Sequence, residues 1–284
     1  MHVFAMVTTR HSNAYTDHAL SSLVEHTRLE RGDRLILIDN DRAYTTLPEK
    51  CRGVVEVREN PAPKSFAANV NQMIDAAGAQ KADLVFLNND LIFSQGWFEP
   101  LRDGGPFLAS PISNAELPYK RKKLDLRYDT DLKDYLENEE DFREIVREHR
   151  KRYQGHLKVI SFTFFAVKIP YEVFSLLGPL DESFGIGGGE DKDYCIRCHA
   201  KGIELRYALQ SYLLHFHGRS TWRGGESAEQ TAARDRGYIE RFKQKWGQHL
   251  FDLFVFNEPK NLPEAARLAY EQGNYKRLVE LLTR

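Results

Sequence analysis

Four short apolar runs, each continuous rather than alternating and each halted by a polar turn, set the limits on how this chain folds. They are residues 3–8, leading into Thr8-Thr9-Arg10-His11; 34–38 (RLILI), stopped by Asp39-Asn40-Asp41; 54–57, broken by Asn60-Pro61-Ala62-Pro63; and 83–87 (DLVFL), stopped by Asn88-Asn89-Asp90. Helical spacing fills the gaps, with Leu20, Leu23 and Val24 in 14–27 and Phe66, Val70, Met73, Ile74 and Ala77 after Ser65. A strand that is apolar throughout is covered on both faces, and strands alternating with helices imply an α/β fold with a mostly parallel central sheet flanked by helices. In such sheets ligands sit beyond the carboxyl ends of the strands. Thr8, Asp39, Asp41, Asn88, Asn89 and Asp90 are therefore the first candidates for a polar ligand site. A carboxylate at a strand end suits a hard cation such as Mg²⁺ or Mn²⁺ bridging a diphosphate, with Asp90 as ligand and Asn88 nearby.

Residues 115–156 change character. Charge is dense there, and Leu132, Leu136, Ile145 and Val146 are the main apolar anchors, which reads as a helical insertion or lid. Its basic runs, Lys120-Arg121-Lys122-Lys123 and residues 147–152, read as a solvated face. Core character resumes at 159–167 (VISFTFFAV) as one strand, followed by a short helix at 171–177 opened by Pro170. Two further strands are expected at 204–208 and 212–216, the second running into His215-Phe216-His217, with His217 favoured over His215 as a second metal ligand. A long helix at 226–250 carries Tyr238, Ile239, Phe242 and Trp246 on one stripe.

Between these lies LDESFGIGGGEDKDYCIRCHAKG, residues 180–202. A glycine run opens onto Glu190-Asp191 at the start of a helix that Gly202 would cap. Carboxylates beside a flexible loop are how a site closes over a substrate and presents a base. Two patterns in this stretch mislead. Cys195-Ile196-Arg197-Cys198-His199 matches a haem-attachment motif, but it sits inside a helical pattern, and no export signal is seen at the start of this sequence. The glycines lack the last member of the dinucleotide fingerprint. Three sparse cysteines argue against a disulfide framework, and a formal charge of −1 leaves no global basic field for a nucleic acid. With no apolar stretch near 20 residues, a cytoplasmic protein with no transmembrane segment is expected, at most peripheral at the inner face of a membrane.

The order of these elements resembles the glycosyltransferases of the GT-A fold, and is most similar to family-two enzymes, rhamnosyltransferase-like members especially. LILIDND (35–41) resembles the strand whose acidic turn holds the nucleotide, SFAANVNQMI (65–74) the asparagine-bearing helix start, matched at Phe66 and Asn71, and FLNND (86–90) the D-x-D element. The segment ending in Glu190-Asp191 is the most specific match, and HFHGRST resembles the terminal histidine region. The resemblance covers about residues 3–222. It implies an inverting transfer from a nucleotide-diphosphate sugar to a hydroxyl of a carbohydrate or glycolipid acceptor, in bacterial polysaccharide or glycoconjugate synthesis. Asp191 would be the base and Glu190 would help bind the acceptor. Thr8, Asp39, Asp41, Asn71, Asn88 and Asn89 would lie at the donor, and Asp90 and His217 at a divalent metal (Mn²⁺ or Mg²⁺). Asn88 stands where an Asp often stands. Tyr119, Tyr128 and Trp222 are candidates to stack on sugar rings.

The glycosyltransferase domain is then expected to span 1–250. Residues 251–284 form a helical tail resembling part of a tetratricopeptide repeat, which one unit cannot bury alone, so it either packs on the domain or meets a protein partner. Two other readings remain. A sugar nucleotidyltransferase would carry a glycine-rich basic loop after the first strand, and Thr8-Thr9-Arg10-His11-Ser12 has no glycine. A catalytically silent scaffold would have no need to keep Asp90, Glu190, Asp191 and His217 together.

Overall fold

The computed structural model describes residues 1–102, 104–115, 117–119, 122–124, 128–219 and 227–283, with the strands but not the side chains described at 117–119 and 122–124. The first third follows the sequence pattern: β1 (His2–Thr8), α1 (Asn13–His26), β2 (Arg34–Asp39), β3 (Val55–Glu59), α2 (Phe66–Gly78) and β4 (Asp83–Leu87). These strands pair in the order β3-β2-β1-β4, all parallel. Continuous apolar runs form because both faces are covered. In β1, Val3 and Ala5 join the core on the α2 side while Phe4 and Met6 join Leu20 and Leu23 of α1 on the other.

Beyond β4 come β5 (Leu91–Ile92), α3 (Glu99–Arg102), β6 (Leu108–Ser113), a hairpin of β7 (Leu117–Tyr119) and β8 (Lys122–Leu124), then α4 (Leu132–Glu137) and α5 (Glu139–Arg152). The charged insertion is thus a hairpin and two helices rather than helices alone. The expected single strand at 159–167 is instead two, β9 (His156–Val159) and β10 (Ala166–Ile169), joined by an irregular segment. Phe162, Phe164 and Phe165 in that segment are buried, so the apolar run reports burial rather than strand. Conversely, the two strands expected at 204–208 and 212–216 are one, β11 (Leu205–His215), with a bulge between Ala208 and Tyr212.

The expectation of parallel pairing holds throughout the first half of the sheet, and beyond it the pairing is mixed. β10 lies antiparallel between β4 and β6, β11 is parallel to β6, and β5 and β9 pair antiparallel with β11. Apolar runs encode burial on two faces and carry no information on strand direction. The remaining helices are α6 (Tyr171–Leu177), α7 (Glu190–Ala200), α8 (Ala228–Val255), α9 (Glu264–Glu271) and α10 (Tyr275–Leu282).

α8 runs through the expected boundary at residue 250, kinked at Gly247, where φ is 81°. Ala266, Ala269, Tyr275, Leu278 and Val279 of the tail are buried in the same core as α7, and Tyr275 packs 5.1 Å from the His199 ring. The tail's apolar face is therefore covered by the domain. Leu278 has no solvent exposure, so Leu278→Ala should cost about 2–5 kcal/mol and shift the whole urea transition as one. A separate early transition confined to the tail would contradict this packing.

Candidate active site

α7 starts behind a glycine turn that the sequence reads as flexible, and the structure gives those glycines a different role. Gly188 and Gly189 have φ of 133° and 87°, and a Cβ on Gly188 would stand 2.6 Å from Tyr238 Cδ1 on α8. Only glycine lets the turn pass this close to α8. The turn is also tied down, since Arg234 Nη1 donates to Gly187 O at 3.2 Å and the Phe66 amide to Ile186 O at 2.9 Å. Asn71, expected at the donor, is part of the same stitching. Its amide donates to Leu180 O (3.1 Å) and Glu182 Oε1 (2.8 Å), and its carbonyl accepts from the Leu180 amide (2.8 Å).

This turn presents the two acids differently. Glu190 is buried, with Oε2 accepting from the Gly188 amide at 2.6 Å. Burial, and then the charge of Asp191, push its carboxyl up to about 7. Asp191 keeps 14% of its side chain accessible and lies 3.8 Å from Lys192 Nζ. Its Oδ1 accepts from the Lys192 amide at 2.7 Å, and its Oδ2 from the Phe164 amide at 3.4 Å. Two residues further, the fully buried Asp193 accepts from Arg197 Nε and Trp246 Nε1 at 2.9 and 2.8 Å and pairs with Lys245 Nζ at 2.6 Å, which fixes α7 to α8.

The strand ends hold a floor of polar side chains. Thr8 and Asn89, expected at the donor, are fully buried: Thr8 Oγ1 lies 2.7 Å from Thr16 Oγ1, and Asn89 Nδ2 donates to Ser12 Oγ (2.7 Å) and Thr16 Oγ1 (2.8 Å), while Asn89 Oδ1 is left without a hydrogen-bond partner. They support the site from beneath. Asp39 likewise turns inward, accepting from the amides of Asp41, Ala43 and Tyr44 at 3.3, 3.2 and 2.8 Å. Asp41 stays at the lip, paired with Arg10 Nε at 3.1 Å. A triad that the sequence analysis missed joins these loops. Asn40 Oδ1 accepts from Asn60 Nδ2 (2.8 Å), Lys64 N (2.9 Å) and Asn69 Nδ2 (3.1 Å). Asn69 and Asn71 are two apart on a helix and face opposite ways, so it is Asn69, not Asn71, that meets the strand ends.

Asp90 is the acid at the centre. The turn after β11 wraps it: the Phe216 amide donates to Asp90 O and the Arg219 amide to Asp90 Oδ2, both at 3.0 Å. His215 Nε2 lies 3.2 Å from Asp90 Oδ1, yet the two atoms are misaligned for a hydrogen bond and both are buried without a hydrogen-bond partner. Buried polar atoms left this way call for a missing partner. Adjacent ligand atoms of an octahedral Mg²⁺ or Mn²⁺ stand about 3 Å apart, so a carboxylate oxygen and an imidazole nitrogen at this spacing fit a divalent ion. The histidine in ion-pair range is therefore His215, not the favoured His217, which sits on the exposed turn at φ 47° with its ring 4.1 Å from that of His215. Among the described residues no cluster of three or more His, Cys, Asp or Glu side chains suited to a metal is present.

The two acidic centres meet through one segment. Phe164 donates to Asp191, while Phe165 accepts from the Asn88 amide at 2.7 Å and stacks on His215 at 5.2 Å. Of the aromatic candidates, Tyr128 packs on Phe142. Trp222, Ser220, Thr221, Lys120 and Arg121 lie outside the described residues, as do the side chains of Tyr119, Lys122 and Lys123.

No protein-family model matches the chain, and no curated protein matches it. Solved structures do. GalNAc-T7, crystallised with UDP, GalNAc and Mn²⁺, superposes with a TM-score of 0.59 at 16% identity over 99% of this chain. TarS of S. aureus (residues 1–349) superposes with a TM-score of 0.55 at 11% identity, covering all of this chain and 83% of that one. This chain spans only 56% of the GalNAc-T7 chain. The fold is the GT-A fold of glycosyltransferases.

The raised Glu190 carboxyl has a measurable consequence. The folded chain holds that proton to about pH 7 and the unfolded chain only to about 4.5, so between those values the unfolded state binds fewer protons and stability falls as pH rises. Glu190→Gln should remove a fall of at most about 3 kcal/mol, read from urea midpoints at pH 4.5 and 8. A wild-type to variant difference that does not change with pH would contradict the assignment.

Proposed function

We propose that the protein is an inverting glycosyltransferase that moves a sugar from a nucleotide-diphosphate donor to an acceptor hydroxyl. The observation that carries this reading is the facing of Asp90 Oδ1 and His215 Nε2, both buried without a hydrogen-bond partner, one two-residue step, Phe164–Phe165, from the partly accessible carboxylate of Asp191. The GT-A fold shared with UDP-bound GalNAc-T7 supports it.

In this reading Asp90 and His215 hold a divalent ion, whose charge, when bound, offsets the negative charge developing on the departing diphosphate. An imidazole ligand favours Mn²⁺ over Mg²⁺. Asp41, Arg10 and Asn88 line the donor lip, while Asp39, Thr8, Asn89 and the Asn40–Asn60–Asn69 triad keep that lip in shape. Asp191 takes the proton of the acceptor hydroxyl as its oxygen bonds to the anomeric carbon from the side opposite the departing diphosphate. Lys192 Nζ stands 3.8 Å from that carboxylate. Glu190, neutral up to about pH 7, adds no second negative charge and fixes the turn through Gly188. The acceptor is a carbohydrate or a glycolipid. Among the described residues no helix is long and apolar enough to cross a membrane, so a glycolipid would be met at a membrane surface.

A panel of nucleotide sugars with and without Mn²⁺ tests the reading, with release of nucleoside diphosphate as the expected product. Asp191→Asn should lower turnover about 10²- to 10⁴-fold with donor affinity unchanged. Wild-type turnover in that variant would remove Asp191 as the base, and absence of any diphosphate release from every donor would overturn the function.

A further inference from the structure

A cavity of about 430 Å³ lies beside α1, and no candidate active-site residue lines it. It forms where α5 of the insertion crosses α1 and the β5 end, a size in the range of small-molecule sites. Its apolar floor is Ile92, Phe93, Tyr135, Phe142 and Val146. Its rim is basic: Lys50, Arg143, Arg147 and Arg150 outnumber the carboxylates Glu25 and Glu139.

The three arginines follow from helical spacing, since positions 143, 147 and 150 share one face of α5. Arg150 is fixed through Nη1 to Gln95 O at 2.6 Å. Arg143 and Arg147 are more than half exposed and, among the described residues, pair with Glu139 and Glu140, which lie on the same helix surface. Such exposed pairs are worth about 0–1 kcal/mol, whereas a phosphate dianion accepts bidentate bonds from guanidinium groups. A basic rim over an apolar floor selects a molecule with both characters.

We propose that this cavity binds a phosphate monoester carried on an apolar or aromatic group, separately from the donor site. Calorimetric titration of the full chain with octyl phosphate, phenyl phosphate and inorganic phosphate, in EDTA, tests it. At least one organic phosphate should bind saturably and tighter than inorganic phosphate. Stronger octyl binding points to a lipid phosphate, and stronger phenyl binding to a soluble aromatic phosphate. In the double variant Arg143→Gln, Arg147→Gln that affinity should fall ten-fold or more, while nucleotide binding with Mn²⁺ stays unchanged. The proposal is overturned if neither organic phosphate saturates, if inorganic phosphate binds as tightly, or if the double variant binds like wild type. Asp90→Ala should leave this affinity intact whatever it does to the donor.

Discussion

A carboxylate with no access to solvent, Asp193, is what the geometry of the site depends on. A buried charge is tolerated only when paired and hydrogen-bonded, and Asp193 has Arg197, Lys245 and Trp246 around it. Lys245 also reaches Asp181 at 2.6 Å, on the segment that leads into the glycine turn. One lysine of α8 thus ties both ends of the stretch from Asp181 to Asp193. With α8 held there, Tyr238 closes on Gly188, and Glu190 and Asp191 can point only where the turn sends them.

The consequence is a division between two adjacent acids. Glu190 is turned into the protein, where burial pushes its carboxyl up to about 7, while Asp191 keeps partial exposure beside an ammonium group. Environment rather than residue type separates their roles. On the far side of Phe164–Phe165, Asp90 and His215 face one another without satisfying each other. One carboxylate oxygen and one imidazole nitrogen, both buried and without a hydrogen-bond partner, are the feature on which the proposed metal site rests.

Much of this was legible in the sequence. The parallel half of the sheet, α1, α2 and the acid pair at the start of α7 followed from apolar runs, helical spacing and capping chemistry. What escaped had physical causes. Strand direction is invisible to burial patterns, so β10 and its neighbours came as mixed pairing. Phe162 to Phe165 read as strand because a buried loop is as apolar as a buried strand. Thr8, Asp39, Asn71 and Asn89 occupy positions where ligands are met, but the polar partners that claim them come from Thr16, the 41–44 loop, Leu180 and Ser12, contacts that no local pattern reports. His215 and His217 are two residues apart and share a face in extended chain, so periodicity gave no ground for choosing between them; the strand ends at His215, and it is His215 that stands in ion-pair range of Asp90. The glycines of the turn are explained by a helix about 50 residues later in the sequence.

The most direct test of the central claim is electron paramagnetic resonance of Mn²⁺ bound with a nucleoside diphosphate, using protein with ¹⁵N-labelled histidine. Wild type and His217→Ala should both show coupling of the ion to one imidazole nitrogen, and His215→Ala should lose it while remaining folded. Histidine coupling that survives in His215→Ala, or that is absent from the wild type, would contradict the assignment of the Asp90–His215 pair as the metal site.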